Sequence, residues 1–401
     1  MGRVTLAESP PLMTQNAARP RGSRRRQALL ALASTLVALL LAEGAARYAA
    51  QRANQGAIET ALANRKELGP NDPYQLGNLI QMSPNDKIVY ELRPNLSRVK
   101  FKSRRVSTNS HGFRGPEVEA QRENTKTIVL IGDSILFGHG VADAELFSVS
   151  LQQRLQNNYP DTHWRVINTG VPGYNTVMEV ETLRTKGLAF HPDLVILSIV
   201  PNDLALPRYI RDEEDVLDLS RCFLLELLRS RTDAGRDRRG DTARAGLDPR
   251  LAHLNEFDVE HEMQKGSPLT IAETVPERYR PLVGFGAYLG ALDELQEMQA
   301  EHGFEVITFA TIETELQDKM IAATVARGWP HVRLMPEIQA YMAEHYDGQQ
   351  YDPVEQDPYK RSDLVVSFDN PHPSALQHKM AGLKLFTELR ALGTIERLVG
   401  E

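Results

Sequence analysis

Ser134 ends the tripeptide Gly132-Asp133-Ser134, which follows an apolar run at 127–131 and opens a glycine-containing stretch, 135–141, that reads as a turn into a helix. A hydroxyl is a poor nucleophile at neutral pH, so chemistry at this serine requires a base that is itself held by an acid. Asp369-Asn370-Pro371-His372, near the other end of the chain, supplies both groups on one loop. A carboxylate there can accept from one imidazole nitrogen of His372 and leave the other facing the serine. That is the equipment for acyl transfer: Ser134 attacks an ester carbonyl, His372 takes its proton and Asp369 stabilises the imidazolium. Each piece also has a plainer reading. Ser134 could be a helix N-cap, His372 a surface histidine between two prolines, and Asp369 a cap of the helix that follows.

In their order along the chain these pieces resemble the motif blocks of the SGNH, or GDSL-type, hydrolases. The first is Gly132-Asp133-Ser134 with Gly138 and Gly140 behind it, and the second is Asn168-Thr169-Gly170-Val171-Pro172-Gly173. The third is Pro201-Asn202-Asp203 after the apolar run 194–200, and the last is the pair Asp369 and His372. The resemblance implies an oxyanion hole made by the N–H groups of Ser134 and Gly170 and the side-chain amide of Asn202, each donor worth roughly 3 kcal/mol. Asp133 is a supporting residue, suited to ordering the loop rather than carrying a proton. The family's glycine two positions before the third-block asparagine is Val200 here. The implied chemistry needs neither a metal nor an organic cofactor.

To position these groups the chain must place the ends of several strands together. Candidate strands at 127–131, 164–168, 194–200, 305–311 and 332–335 alternate with candidate helices at 146–157, 176–186, 285–302 and 374–392. That alternation predicts an α/β fold with a parallel sheet covered on both faces, and Ser134, Gly170 and Asn202 then fall at the C-terminal strand ends, where functional groups gather. The resemblance implies a three-layer α/β/α arrangement with a flavodoxin-like sheet of about five strands. Ahead of it, 87–92 and 98–106 alternate like exposed strands, and 109–115 makes a turn with Phe113 available to the core. The turn is similar to one that precedes the catalytic domain in membrane-anchored members of the family.

Arg19, Arg21, Arg24, Arg25 and Arg26 precede an uncharged, mostly apolar run at 28–42. The expected organisation is a basic cytoplasmic leader at 1–26, an uncleaved transmembrane signal anchor at 27–46, a stalk and short β-rich segment at 47–116, and a catalytic domain at 117–401 on the periplasmic side of the inner membrane. Cys222 is the sole cysteine, which excludes an intramolecular disulfide, and the net charge of −7 over 401 residues argues against a nucleic-acid surface. An insertion at about 204–282 carries an apolar helical stretch at 216–228, a candidate lid or acceptor groove or simply a packed helix, and then a charged, mobile centre at 229–250. A polar segment at 346–360 is a candidate pocket lining or a plain loop. The expected function is a membrane-anchored serine esterase acting on small O-acyl esters of envelope glycans or lipids. An O-acyltransferase with a polysaccharide acceptor, and a non-catalytic glycan- or partner-binding envelope protein, are the alternatives.

Overall fold

The five apolar stretches expected as strands do form one sheet. A computed structural model describes residues 21–63, 73–207, 209–211, 222–225, 254–256, 277–311, 314–346 and 357–400. In chain order the described strands are β1 (Ile80–Met82), β2 (Tyr90–Leu92), β3 (Val99–Phe101), β4 (Arg104–Val106), β5 (Thr125–Ile131), β6 (His163–Asn168), β7 (Leu194–Ser198), β8 (Tyr209–Arg211), β9 (Leu254–Glu256), β10 (Glu305–Ala310), β11 (His331–Arg333), β12 (Val365–Ser367) and β13 (Asn370–Pro373). The helices are α1 (Arg21–Ala63), α2 (Ser134–Phe137), α3 (Phe147–Asn158), α4 (Thr176–Thr182), α5 (Gly284–His302), α6 (Glu315–Val325), α7 (Met335–His345), α8 (Asp357–Arg361), α9 (Ala375–Ala391) and α10 (Thr394–Val399).

The central sheet runs β11-β10-β7-β5-β6 with every pairing parallel. This is the flavodoxin-like order, and its reversal of winding between β5 and β7 opens a crevice at their C-terminal ends. Both faces are buried. Ile128, Leu130 and Leu194 pack on one side against Leu151 and Leu155 of α3 and Leu385 and Leu389 of α9. Val129, Ile131 and Val195 pack on the other against Val180 of α4 and Leu292 and Leu295 of α5. A third apolar cluster joins the segment before the sheet to the site region: Leu79, Ile80, Tyr90 and Phe101 meet Phe137, Val171, Tyr174 and Met178.

The turn at 109–115 is a rigid part of this body. Asn109 Oδ1 accepts from the N–H groups of His111 and Phe113, each at 3.0 Å, and Phe113 is buried. Next to it the guanidinium of Arg114 is fully enclosed. It donates to the carbonyls of Phe137, Gly138 and Val141 and pairs through Nε with Asp143 at 3.0 Å. One planar fork thus satisfies three carbonyls at the end of α2, and burial pulls the guanidinium below its usual basicity against the opposing pull of Asp143.

By compactness the chain divides into two units, residues 1–56 with 214–237, and the remainder. In the first, Arg25–Ala49 holds an 18-residue window of mean hydropathy 2.0 and is long and apolar enough to cross a membrane. Its leucines at 29, 30, 32, 36, 39, 40 and 41 are all more than half exposed, so the helix is apolar around its circumference. Glu43 pairs with Arg47 at 2.9 Å and accepts the backbone N–H groups of Phe223 and Leu224 at 2.9 and 2.8 Å, with the Arg47 guanidinium over the Phe223 ring. The stretch expected to be mobile at 229–250 lies outside the described residues, as do residues 347–356 of the segment 346–360 expected as a pocket lining or a plain loop. Of the expected helix at 216–228 only 222–225 is described, and 223–225 is helical.

Arg114→Ala removes a donor from three carbonyls and from the Asp143 carboxylate, so thermal unfolding should show a loss of about 3 kcal/mol. Arg114→Lys should recover little of it, because an ammonium cannot fork across the same acceptors. A melting point within a degree of wild type for Arg114→Ala would contradict the clamp.

Candidate active site

The sheet's C-terminal edge brings together residues from all four motif blocks, the second through the Val171 N–H, which donates to the Gly132 carbonyl at 3.2 Å. Asp133 leaves β5 as the N-cap of α2, its Oδ1 accepting the Ile135 N–H at 2.9 Å. Ser134 is the first residue of that helix, so its own N–H has no intrahelical acceptor. Asn202 follows β7 and donates from Nδ2 to Asp133 Oδ2 at 3.1 Å. His372 lies on β13, and its Nε2 is 3.0 Å from Ser134 Oγ.

The tautomer of His372 follows from its other nitrogen. Nδ1 is 2.7 Å from Asn370 Oδ1. An amide oxygen only accepts, so Nδ1 carries the proton and Nε2 presents its lone pair to the serine. The serine hydroxyl also lies 3.1 Å from Asp133 Oδ2, which gives one proton two acceptors.

Two expected residues stand differently from their expected roles. Asp369 is exposed, on the turn between β12 and β13, and it is Asn370, the next residue, that meets the imidazole. In this arrangement Nδ1 is occupied by Asn370, the first residue of β13, and not by the exposed Asp369. Gly170 lies against the nucleophile helix, where an added Cβ would be 2.6 Å from the Phe137 nitrogen. Its N–H donates to Asn168 Oδ1 at 2.9 Å and so is already engaged rather than open to an oxyanion. Val200 needs no glycine: its backbone is extended, with φ at −134°, and its N–H is held by Asp203 Oδ2 at 3.0 Å.

His139 is a residue that sequence reasoning misses. Set between Gly138 and Gly140, both with positive φ, it stacks on His372 with ring centroids 4.1 Å apart and receives the edge of Phe101 at 4.7 Å. A histidine between glycines has no periodicity to mark it. His378 is a second neighbour. Burial, with the charges of Arg114 and His372, pulls its imidazole down to about 3, so it stays neutral while its Nδ1 accepts the Phe147 N–H.

Behind Asp133 lies a group of buried carboxyls. Burial pushes Asp133 upward, opposed by its bonds to Ile135, Asn202 and Ser134. Glu179 of α4 and Asp203 are pushed well above the usual carboxylate range, Glu179 first by burial and then by the charges of Asp203 and Asp133, Asp203 by burial and then by the charge of Asp133. Neither oxygen of Glu179 has a hydrogen-bond partner. A buried carboxyl in that position is held neutral more cheaply than charged.

A model of the GDSL-like lipase/acylhydrolase family matches residues 130–379. The chain belongs to that family. Membership makes it a serine ester hydrolase by class; the parallel sheet flanked by helices is the arrangement the resemblance implied, and the apolar N-terminal helix is the one expected from the run at 28–42. Among solved structures, this GDSL-family chain is similar to a lipolytic protein of the G-D-S-L family from Desulfitobacterium hafniense (12% identity over 65% of this chain and 98% of that one, TM-score 0.35). It is also similar to a lipase/acylhydrolase from Enterococcus faecalis (16%, 67% and 96%, TM-score 0.34) and to an acetylxylan esterase from Geobacillus stearothermophilus (15%, 67% and 94%, TM-score 0.36). No curated protein matches the chain in sequence.

Raised carboxyl values tie stability to pH. A group that binds its proton more tightly folded than unfolded stabilises fully below the unfolded value, near 4, and that contribution is lost as pH rises through the raised folded value. Glu179→Gln should therefore raise the melting temperature by roughly 3 °C or more at pH 8 and change it little at pH 4. A substitution effect that is equal at the two pH values would show that Glu179 is not held protonated.

Proposed function

We propose that this GDSL-family hydrolase cleaves small O-acyl esters of envelope glycans or lipids through Ser134, His372 and Asp369. The observation that carries the reading is the 3.0 Å contact between His372 Nε2 and Ser134 Oγ, with the imidazole proton fixed on Nδ1. As the Ser134 oxygen attacks the ester carbonyl its proton passes to Nε2, and the imidazolium then protonates the departing alkoxide. Water, deprotonated by the same nitrogen, releases the acid from acyl-Ser134. Negative charge on the carbonyl oxygen is met by the Ser134 N–H and the second amide hydrogen of Asn202. Gly170 joins them when its N–H exchanges Asn168 for the oxyanion.

Asp369 enters as the imidazole gains charge. An amide oxygen orients a neutral ring, but a carboxylate stabilises the imidazolium as well. Phe368 and Asp369 are exposed, so a rotation of the turn that brings the carboxylate to Nδ1 disrupts no buried contact. Asn370 holds the resting ring and Asp369 the charged one. His139, stacked on the base, fixes the plane in which either partner must lie.

The same reading places residues 1–26 in the cytoplasm, anchors the chain by 27–46 in the inner membrane and puts the catalytic domain, 117–401, on the periplasmic side. The arginines before the span support this orientation. The use of Glu43 by Phe223 and Leu224 supports retention of the anchor, since cleavage near 42–46 would separate or free that carboxylate.

Hydrolysis of a short-acyl aryl ester by the full chain tests the assignment. Ser134→Ala should abolish turnover. Asp369→Ala should lower kcat by about a hundredfold or more, and Asn370→Ala by less than about tenfold. The reverse order would give the Nδ1 role to the amide, and serine-independent turnover would overturn the reading.

A further inference from the structure

Residues 92–116 contain seven Lys or Arg residues and no Asp or Glu, in a chain whose net charge is −7. Five of the seven, Arg98, Lys100, Lys102, Arg104 and Arg105, fall on or beside the β3–β4 hairpin. Its register sets Lys100 directly opposite Arg105, and Phe101 opposite Arg104. Phe101 and Val106 are buried beneath the hairpin, whereas Lys100, Arg98, Arg104 and Arg105 are exposed. Those four exposed cations form no ion pair among the described residues, and Arg105 donates instead to the Arg98 carbonyl at 3.1 Å. The carboxylate that reaches the hairpin's end, Asp143, is engaged by Arg114 and by the Ser107 N–H.

This arrangement costs stability in two ways. Like charges directly opposite on a two-stranded ladder repel. Lys102 and Arg98 both hold positive φ, 52° in each case, where glycine or asparagine would be less strained. Strain and repulsion that preserve charge at the same spot indicate a use for that charge. The use lies near the chemistry: Phe101, on the hairpin's buried side, meets His139 edge to face, and His139 stacks on His372. The basic strip is therefore two ring contacts from the proposed base.

We propose that the β3–β4 hairpin is a docking strip for a polyanionic glycan, so that the esters this enzyme cleaves are carried on an acidic polysaccharide. The proposal rests on the ester-hydrolase reading for its substrate and on the hairpin alone for its binding. An extended polymer with a carboxylate on each sugar matches the row of Arg98, Lys100, Arg104 and Arg105, which have no ion pair among the described residues. Contiguity with the catalytic ring stack favours a ligand that is also the substrate over a membrane surface, which the strip would meet without reference to the site.

The test uses the full chain in detergent with polygalacturonate, which needs no turnover to bind. Wild type should retain it with an affinity that falls steeply with salt. Lys100→Gln/Arg105→Gln should weaken binding by tenfold or more and flatten the salt dependence, while its melting temperature stays equal or rises as the repulsion is relieved. Wild type should also hydrolyse acetylated polygalacturonate with a lower KM than acetylated mannan. Binding unchanged in the double variant, or a KM no lower on the acidic polymer, would overturn the proposal. So would loss of binding to phosphatidylglycerol vesicles with polygalacturonate binding intact, which would make the strip a membrane contact. Hairpin-dependent binding without ester turnover on either polymer would sustain the docking strip and refute the ester reading separately.

Discussion

The Asp133 carboxylate is the contact on which the site depends. Buried at the crevice between β5 and β7, it caps the helix that begins with Ser134, lies within reach of the Ser134 hydroxyl and accepts the Asn202 amide. Two strand ends are thereby fixed to each other by one side chain. The sheet supplies the coarse placement and this carboxylate the fine, and because it accepts several hydrogen bonds in a dry setting it holds nucleophile and oxyanion donor to a narrow geometry. It also competes with His372 for the serine proton, so the resting hydroxyl is held between base and carboxylate.

Around that contact the structure accepts unfavourable arrangements that the rest of the fold offsets. Glu179 and Asp203 sit without full hydrogen bonding behind the site, and Arg114 is taken wholly out of water to serve three carbonyls below α2. The Arg114 clamp and the Phe101–His139–His372 ring series both reach the site from residues before β5. The segment at 73–116 therefore belongs to the site's supporting structure and is more than a spacer between helix and sheet.

Much of this was legible in the sequence because it rests on patterns that sequence carries. The five sheet strands are continuous apolar runs, as strands buried on both faces must be, and the observed bounds differ from the expected ones by only a few residues. Gly132-Asp133-Ser134 and Pro201-Asn202-Asp203 fell at strand ends for the same reason. Elements shorter than their own periodicity were hardly legible: β1 has three residues and left no sign, and β2 and the hairpin at 99–106 declared themselves only as alternation. The helices at 315–325 and 335–345 were passed over, since their apolar positions are spread among small and polar residues. The choice between Asp369 and Asn370 at Nδ1 depends on which way two neighbouring polar side chains leave an exposed turn, and no residue-type rule decides that. Gly170 was legible as a close-packed glycine, yet the capture of its N–H by Asn168 two residues earlier is a local Asx turn that competes with the role the family pattern suggested.

The most direct test of the central claim, that His372 activates Ser134 by accepting its proton at Nε2, is the rate at which a fluorophosphonate labels the protein between pH 5 and 9. The account predicts labelling confined to Ser134, rising with pH along a single titration, and slowed by roughly a thousandfold with loss of that titration in His372→Ala. Labelling of the same serine at an undiminished rate and with the same pH profile in His372→Ala would contradict it.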